Sequence, residues 1–174
     1  MLAVADKVHS PFIGLAIPGR VPRPDFEATF APHLSGVAYR MQGALDVLSD
    51  AQIVALHQPF GDYPIHIPTG QPGGVDIPRA AIHPHLQKTI AELEAAGAAA
   101  IVVLCAGDLG RLEANVPLLA AATLLPAMVR ATIGSPKLGV VTPNDGQVPF
   151  AAKKWADDGF IADVRAVPPY ATAE

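Results

Sequence analysis

The stretch AAAIVVLCAGDL, residues 98–109, decides how the rest of the chain is read. Seven aliphatic residues run without a polar interruption into Cys105, the only cysteine, and small residues and Asp108 follow. A short, continuous, partly β-branched run of this kind is a strand buried on both faces, the hallmark of a parallel sheet. In an open parallel sheet, ligands bind outside the carboxyl ends of the strands. Cys105 at the exit of a central strand is therefore either a functional thiol at the mouth of a pocket or a small apolar residue closing a buried strand.

The neighbouring segments alternate. FIGLAI (12–17) is a buried strand stopped by Pro18-Gly19. PDFEATFAPHL (24–34) has helical spacing with Pro24 at its start, and GVAYRMQGAL (36–45) is a second strand. Ser49 and Gln52 form a capping box before a short helix. YPIHI (63–67) and VDIPR (75–79), separated by a turn rich in glycine and proline, predict a β-hairpin. In HPHLQKTIAELEAAG (83–97), Pro84 fits a first turn and Gly97 a stop, and Ile82, Leu86, Ile90 and Leu93 form one apolar stripe. VPLLAAATLLPAMVRATIG (116–134) reads as a helix apolar all round and so buried on both sides, with Pro126 kinking or breaking it. KLGVVTP (137–143) is a strand, VPFAAKKWADDG (148–159) a helix with Phe150 and Trp155 inward, and FIADVRAV (160–167) a last strand.

This alternation predicts an α/β protein with a doubly wound, mainly parallel sheet and helices on both faces. Its first αβ half spans 1–134 and includes the hairpin; 135–174 forms a partial second half, the two making one unit. With 174 residues, the chain is long enough to bury roughly two thirds of its unfolded surface.

Composition narrows the function. Hydrophobic residues make up 51% and charged residues 16%, which excludes a disordered chain. The net charge of −4, with no basic stripe, gives nucleic acid no footprint. One cysteine leaves no intrachain disulfide and no cysteine pair for zinc. His57, His66, His83 and His85 suggest a metal or acid/base role only weakly, since His83 and His85 lie two apart around a proline, so no metal is expected. The glycines form neither GxGxxG nor a Walker A loop. No apolar run spans a membrane, and MLAVADKVHS does not read as a signal peptide, so the expected location is the cytoplasm.

Three strand exits are expected to share a rim. The first, IPGRVPRPD (17–25), brings Gly19, Arg20 and Arg23. The second brings Cys105, Ala106, Gly107 and Asp108, and the third, VVTPND (140–145), brings Thr142 and Asn144. Guanidinium groups pair with carboxylates, so the set suits a small carboxylate-bearing molecule. Read blandly, the arginines are surface charges, and Thr142 and Asn144 are helix caps. Asp108 beside the thiol would raise its pKa, whereas a ligand-binding nest or an arginine would lower it.

IGLAIPGRVPRPD (13–25), QGALDVLSDAQI (42–53), DYPIHI (62–67), HPHLQKTIAELEAAG, IVVLCAGDL (101–109), LLPAMVRA (124–131) and LGVVTPNDGQ (138–147), continuing through KKW (153–155) to VPPY (167–170), together resemble the AroM family over nearly the whole chain. Val21 stands where that family typically has a small hydroxyl residue. The family in turn is similar to the aspartate/glutamate/hydantoin racemases, and this implies a cleft between two αβ halves, each offering one cysteine. One thiolate removes the proton α to a carboxylate, the other thiol returns one, and no cofactor takes part. Cys105 matches the first of these cysteines. A typical member continues into a segment carrying the second, so this chain reads as shortened, with an incomplete second half and a surface that a homo-oligomer would cover. The resemblance implies proton transfer at the α-carbon of a small carboxylic acid by an isomerase, racemase-like enzyme or decarboxylase. The alternative is a non-catalytic binding or regulatory protein, or a catalytically dead remnant.

Overall fold

The computed structural model describes residues 10–57, 62–68, 74–133 and 136–168. Among them are eight strands and five α-helices. In chain order these begin β1 (Phe12–Ile17), α1 (Pro24–Phe30), β2 (Tyr39–Gly43), α2 (Asp50–Ala55), β3 (Pro64–Ile67), β4 (Val75–Pro78) and α3 (Arg79–Ala95). They continue with β5 (Ala98–Val103), β6 (Leu118–Ala120), α4 (Ala121–Thr132), β7 (Lys137–Thr142), α5 (Val148–Asp157) and β8 (Ile161–Ala166). The fold is α/β, with a mainly parallel central sheet flanked by helices.

The central sheet has four strands in the order β2-β1-β5-β6, all parallel. The chain runs outward from β1 to β2, then returns through α2, the β3–β4 hairpin and α3 to place β5 on the other side of β1. The point where the order reverses therefore lies between the carboxyl ends of β1 and β5, where a parallel sheet leaves a crevice for a ligand. β7 and β8 form a separate parallel pair. It is tied to the hairpin by Gln147, whose amide donates to the Pro64 carbonyl at 2.7 Å, and by Asn144, whose amide donates to Asp76 at 2.9 Å.

The stripe on α3 seals the core. Ile82, Leu86, Ile90 and Leu93 are fully buried, in one core cluster with Ala16, Ile101 and Val103 of the sheet; each such side chain contributes about 1.5–3 kcal/mol of burial. Gly97, at φ +94°, ends the helix in a left-handed conformation that costs glycine little. The capping box at Ser49 and Gln52 is present.

Three local expectations are corrected. First, α3 starts at Arg79, so Pro84 lies inside it. Tertiary contacts extend the helix backwards: the Arg79 amide donates to the Tyr63 carbonyl at 2.8 Å, and the Asp62 carboxylate accepts from the Ala80 amide at 2.6 Å. Second, the segment from 116 is not all helix, because the edge of β5 recruits Leu118–Ala120 as β6. Third, α4 runs through Pro126 unbroken, and Pro126 is its sole buried residue. Proline cannot donate to the carbonyl four residues back. The Lys154 ammonium of α5 supplies that bond instead, donating to the Ala122 carbonyl at 2.8 Å. Far from being buried on both sides, α4 leaves Leu124 and Met128 exposed, as is Leu119 just before it.

Candidate functional site

Two adjoining cavities occupy the crevice at the carboxyl ends of the sheet. The larger, about 590 Å³, lies against Ile17-Pro18-Gly19 at the end of β1 and Val102 to Ala106 at the end of β5. Phe26 and Phe30 of α1, Ile65 and Ile67 of β3, and Leu119 and Leu124 close its sides. The smaller, about 330 Å³, extends toward β7 and α5, between Tyr63, Gly107, Asp108, Thr142, Gln147 and Lys154. Ile65, His66, Cys105, Ala106 and Pro143 belong to both linings, so the thiol sits on the wall between the chambers.

Cys105 is half-buried. Burial pushes its thiol above the usual value of 9.0, opposed by the Gly107 amide, which donates to the sulfur. The Asp108 expectation fails on geometry: its carboxylate is engaged by Arg79 at 2.5 Å and by the Gly110 amide at 2.9 Å, and it is not among the causes of the thiol's shift. The thiol is therefore neutral near pH 7, poised to give a proton rather than to attack as a thiolate. Alkylation by iodoacetamide should follow a pH profile displaced to higher pH in the folded protein than in the urea-unfolded chain; coincident profiles would contradict this. The native state holds this proton more tightly, so stability should fall as pH rises past the unfolded thiol's value near 9 toward the folded one.

Tyr63 was not anticipated. Its ring is buried, its hydroxyl donates to Gln147 Oε1 at 3.1 Å, and the Asp108 amide donates back to it. Burial, with a smaller contribution from Cys105, pushes the phenol to about 12. A Cβ at Gly107 would come within 3.0 Å of this hydroxyl, so the glycine lets the Cys105–Asp108 turn close over the ring. His66 also borders both chambers. It stands directly opposite Asp76 in the hairpin, and its Nδ1 lies 2.8 Å from Asp76 Oδ1. A hairpin register drawn from the sequence pairs these two residues, and that signal could have singled them out.

The three strand exits do border the paired chambers, but their polar groups divide. Gly19 and Arg23 line the larger chamber; Gly107, Asp108 and Thr142 line the smaller; Ala106 lines both. Arg23 is held bidentately by Asp25, at 2.8 and 2.5 Å, and stacks 3.8 Å over the Phe26 ring. Arg20 does not reach either lining. It bonds the Leu45 and Leu48 carbonyls and Asp50, pinning the β1–α1 turn to the loop after β2. Asn144 caps the turn before α5, accepting from the Gln147 amide at 2.9 Å. Thr142 Oγ is 3.2 Å from the Asn144 carbonyl. His57 and His83 bond main-chain carbonyls, and no cluster of three metal-ligating side chains occurs among the described residues. None of the helices there is long and apolar enough to cross a membrane.

Fold and site together define an α/β protein with a protonated thiol at its topological switch point, between an apolar and a more polar chamber. A family model described as AroM protein matches residues 13–174, and the chain belongs to the AroM family. No curated protein matches the sequence.

Proposed function

We propose that the chain carries out cofactor-independent proton transfer at the α-carbon of a small carboxylic acid, with Cys105 as the proton donor. The position of Cys105 carries this reading: a neutral thiol on the wall shared by two chambers at the switch point. When the bond to a departing CO2 breaks, or an enol gives its O–H proton to water, an α-carbanion or enediolate is left; the S–H bond then gives its proton to carbon, and the sulfur keeps the electron pair. The Gly107 amide, already directed at the sulfur, stabilises the thiolate that remains until water reprotonates it. One positioned acid contributes about 10²–10⁴-fold. A single thiol serves reactions that protonate one face, such as decarboxylation or tautomerisation, and the resemblance to the racemase-like superfamily supports this chemistry.

The test is solvent deuterium incorporation at the α-carbon across a panel of amino acids, hydantoins, arylacetates and malonates. The expected result is incorporation into at least one class, lost in Cys105→Ser. No Cys105-dependent incorporation anywhere in the panel sinks the proposal. A second reading, a carboxylate-binding or regulatory protein without turnover, draws on the engagement of Arg20 and Arg23 by Asp50 and Asp25, which leaves no preassembled arginine clamp. It predicts ligand-induced thermal stabilisation that survives Cys105→Ser.

A further inference from the structure

The geometry points to the substrate class: a carboxylate whose α-carbon bears a bulky apolar group, aryl or branched alkyl. That group fills the larger chamber, and the carboxylate is directed toward Lys154 in the smaller. This rests on the proposed role of Cys105 for its chemistry but not for its binding.

The larger chamber, about 590 Å³, is walled by Phe26, Phe30, Ile67, Leu119 and Leu124. A second ionised group, as in aspartate, would lose its hydration there without gaining a partner. The charge of Arg23 in that chamber is already matched by Asp25. Two exposed leucines, one in β6 and one in α4, have the same explanation. Leu119 and Leu124 are 42% and 41% exposed because they face this space rather than the core. Exposed apolar residues gathered at a groove mark a binding surface.

The smaller chamber differs in charge. Lys154 lines it, and its ammonium spends one of three N–H donors on the Ala122 carbonyl. That partner is neutral, and among the described residues no carboxylate forms an ion pair with Lys154. Asp108, in the same chamber, pairs with Arg79 at 2.5 Å, a guanidinium that it shares with Asp62 at 3.1 Å. The two remaining Lys154 donors are the cationic feature of this chamber that a ligand carboxylate can use. With Cys105 on the dividing wall, a ligand spanning both chambers places its α-carbon at the sulfur.

Calorimetric titration separates binding from chemistry, using phenylacetate, phenylacetamide, acetate and aspartate on the intact chain and on Cys105→Ser. Phenylacetate should bind both proteins at least about tenfold more tightly than acetate or aspartate. Lys154→Met should weaken phenylacetate by about tenfold, the worth of one charge-assisted hydrogen bond, and leave phenylacetamide unchanged. Leu124→Trp, at an exposed site, should fill the larger chamber and abolish phenylacetate binding. Three results would overturn the assignment: no phenylacetate binding, aspartate or acetate binding equally well, or equal losses for acid and amide in Lys154→Met. Phenylacetate binding without Cys105-dependent exchange would defeat the proposed chemistry and leave the ligand class standing. Exchange confined to aspartate would do the reverse.

Discussion

Leu86→Ala should lower the free energy of unfolding by about 2–5 kcal/mol, whereas Leu124→Ala should change it by no more than about 0.5 kcal/mol. Both leucines belong to apolar stretches of α-helices that the sequence alone reads as buried. Leu86 is fully buried in α3 among the side chains of the central sheet. Truncation there removes the transfer energy of the lost methyl groups and leaves a cavity that the rigid sheet cannot fill. Leu124 faces the larger chamber at 41% exposure, so its truncation enlarges a space that already exists. Against a total stability of about 5–15 kcal/mol, the first loss is large. Urea denaturation midpoints of the two variants check the contrast; comparable losses would mean that α4 is core after all.

This pair shows what periodicity conveys. The α3 stripe was legible because Ile82, Leu86, Ile90 and Leu93 alternate with charged residues, so only one face could be buried. The segment from 116 has no polar face in its first half, and all-round apolarity is equally compatible with deep burial and with lining a cavity. Whether β5 would recruit Leu118–Ala120 was a property of the sheet edge, not of those three residues. The exits of β1 and β5 were legible for a related reason: parallel strands of one sheet end on one side, so Gly19 and Cys105 had to share a rim, whereas Thr142 ends β7 of a separate pair, which is tied to the β3–β4 hairpin beside the smaller chamber by Asn144 and Gln147. Which charges would face into that rim was not. Arg20 and Arg23 each had an internal partner within reach, Asp50 and Asp25, and nothing local told a paired guanidinium from one directed at a ligand. Lys154 was obscured because its role depends on the missing amide of Pro126 in another helix.

Gly43→Val should remove about 1–3 kcal/mol of stability or more, and ligand binding at the larger chamber with it. Gly43 ends β2, and an added Cβ would come within 2.6 Å of the Gly19 carbonyl oxygen and 2.7 Å of Arg20 Cα. Both are backbone atoms, so no rotamer change relieves the contact. The Ile17–Arg20 turn must move instead. That turn is held by the Ala44 amide on the Ile17 carbonyl at 2.8 Å and the Leu45 amide on the Gly19 carbonyl at 3.1 Å, while Pro18 and Gly19 line the larger chamber. Displacing it therefore breaks hydrogen bonds and reshapes the cavity at once. Gly14→Ala is the control. Its Cβ would meet Leu93 Cδ1 at 3.2 Å, and Leu93 is a side chain that can give by a few tenths of an ångström. The control should cost less stability and leave the chamber intact, since β1 stays in place. Denaturation midpoints and phenylacetate titrations on both variants read the two effects separately. A Gly43→Val protein with undiminished binding would show that the β1 exit does not shape the site.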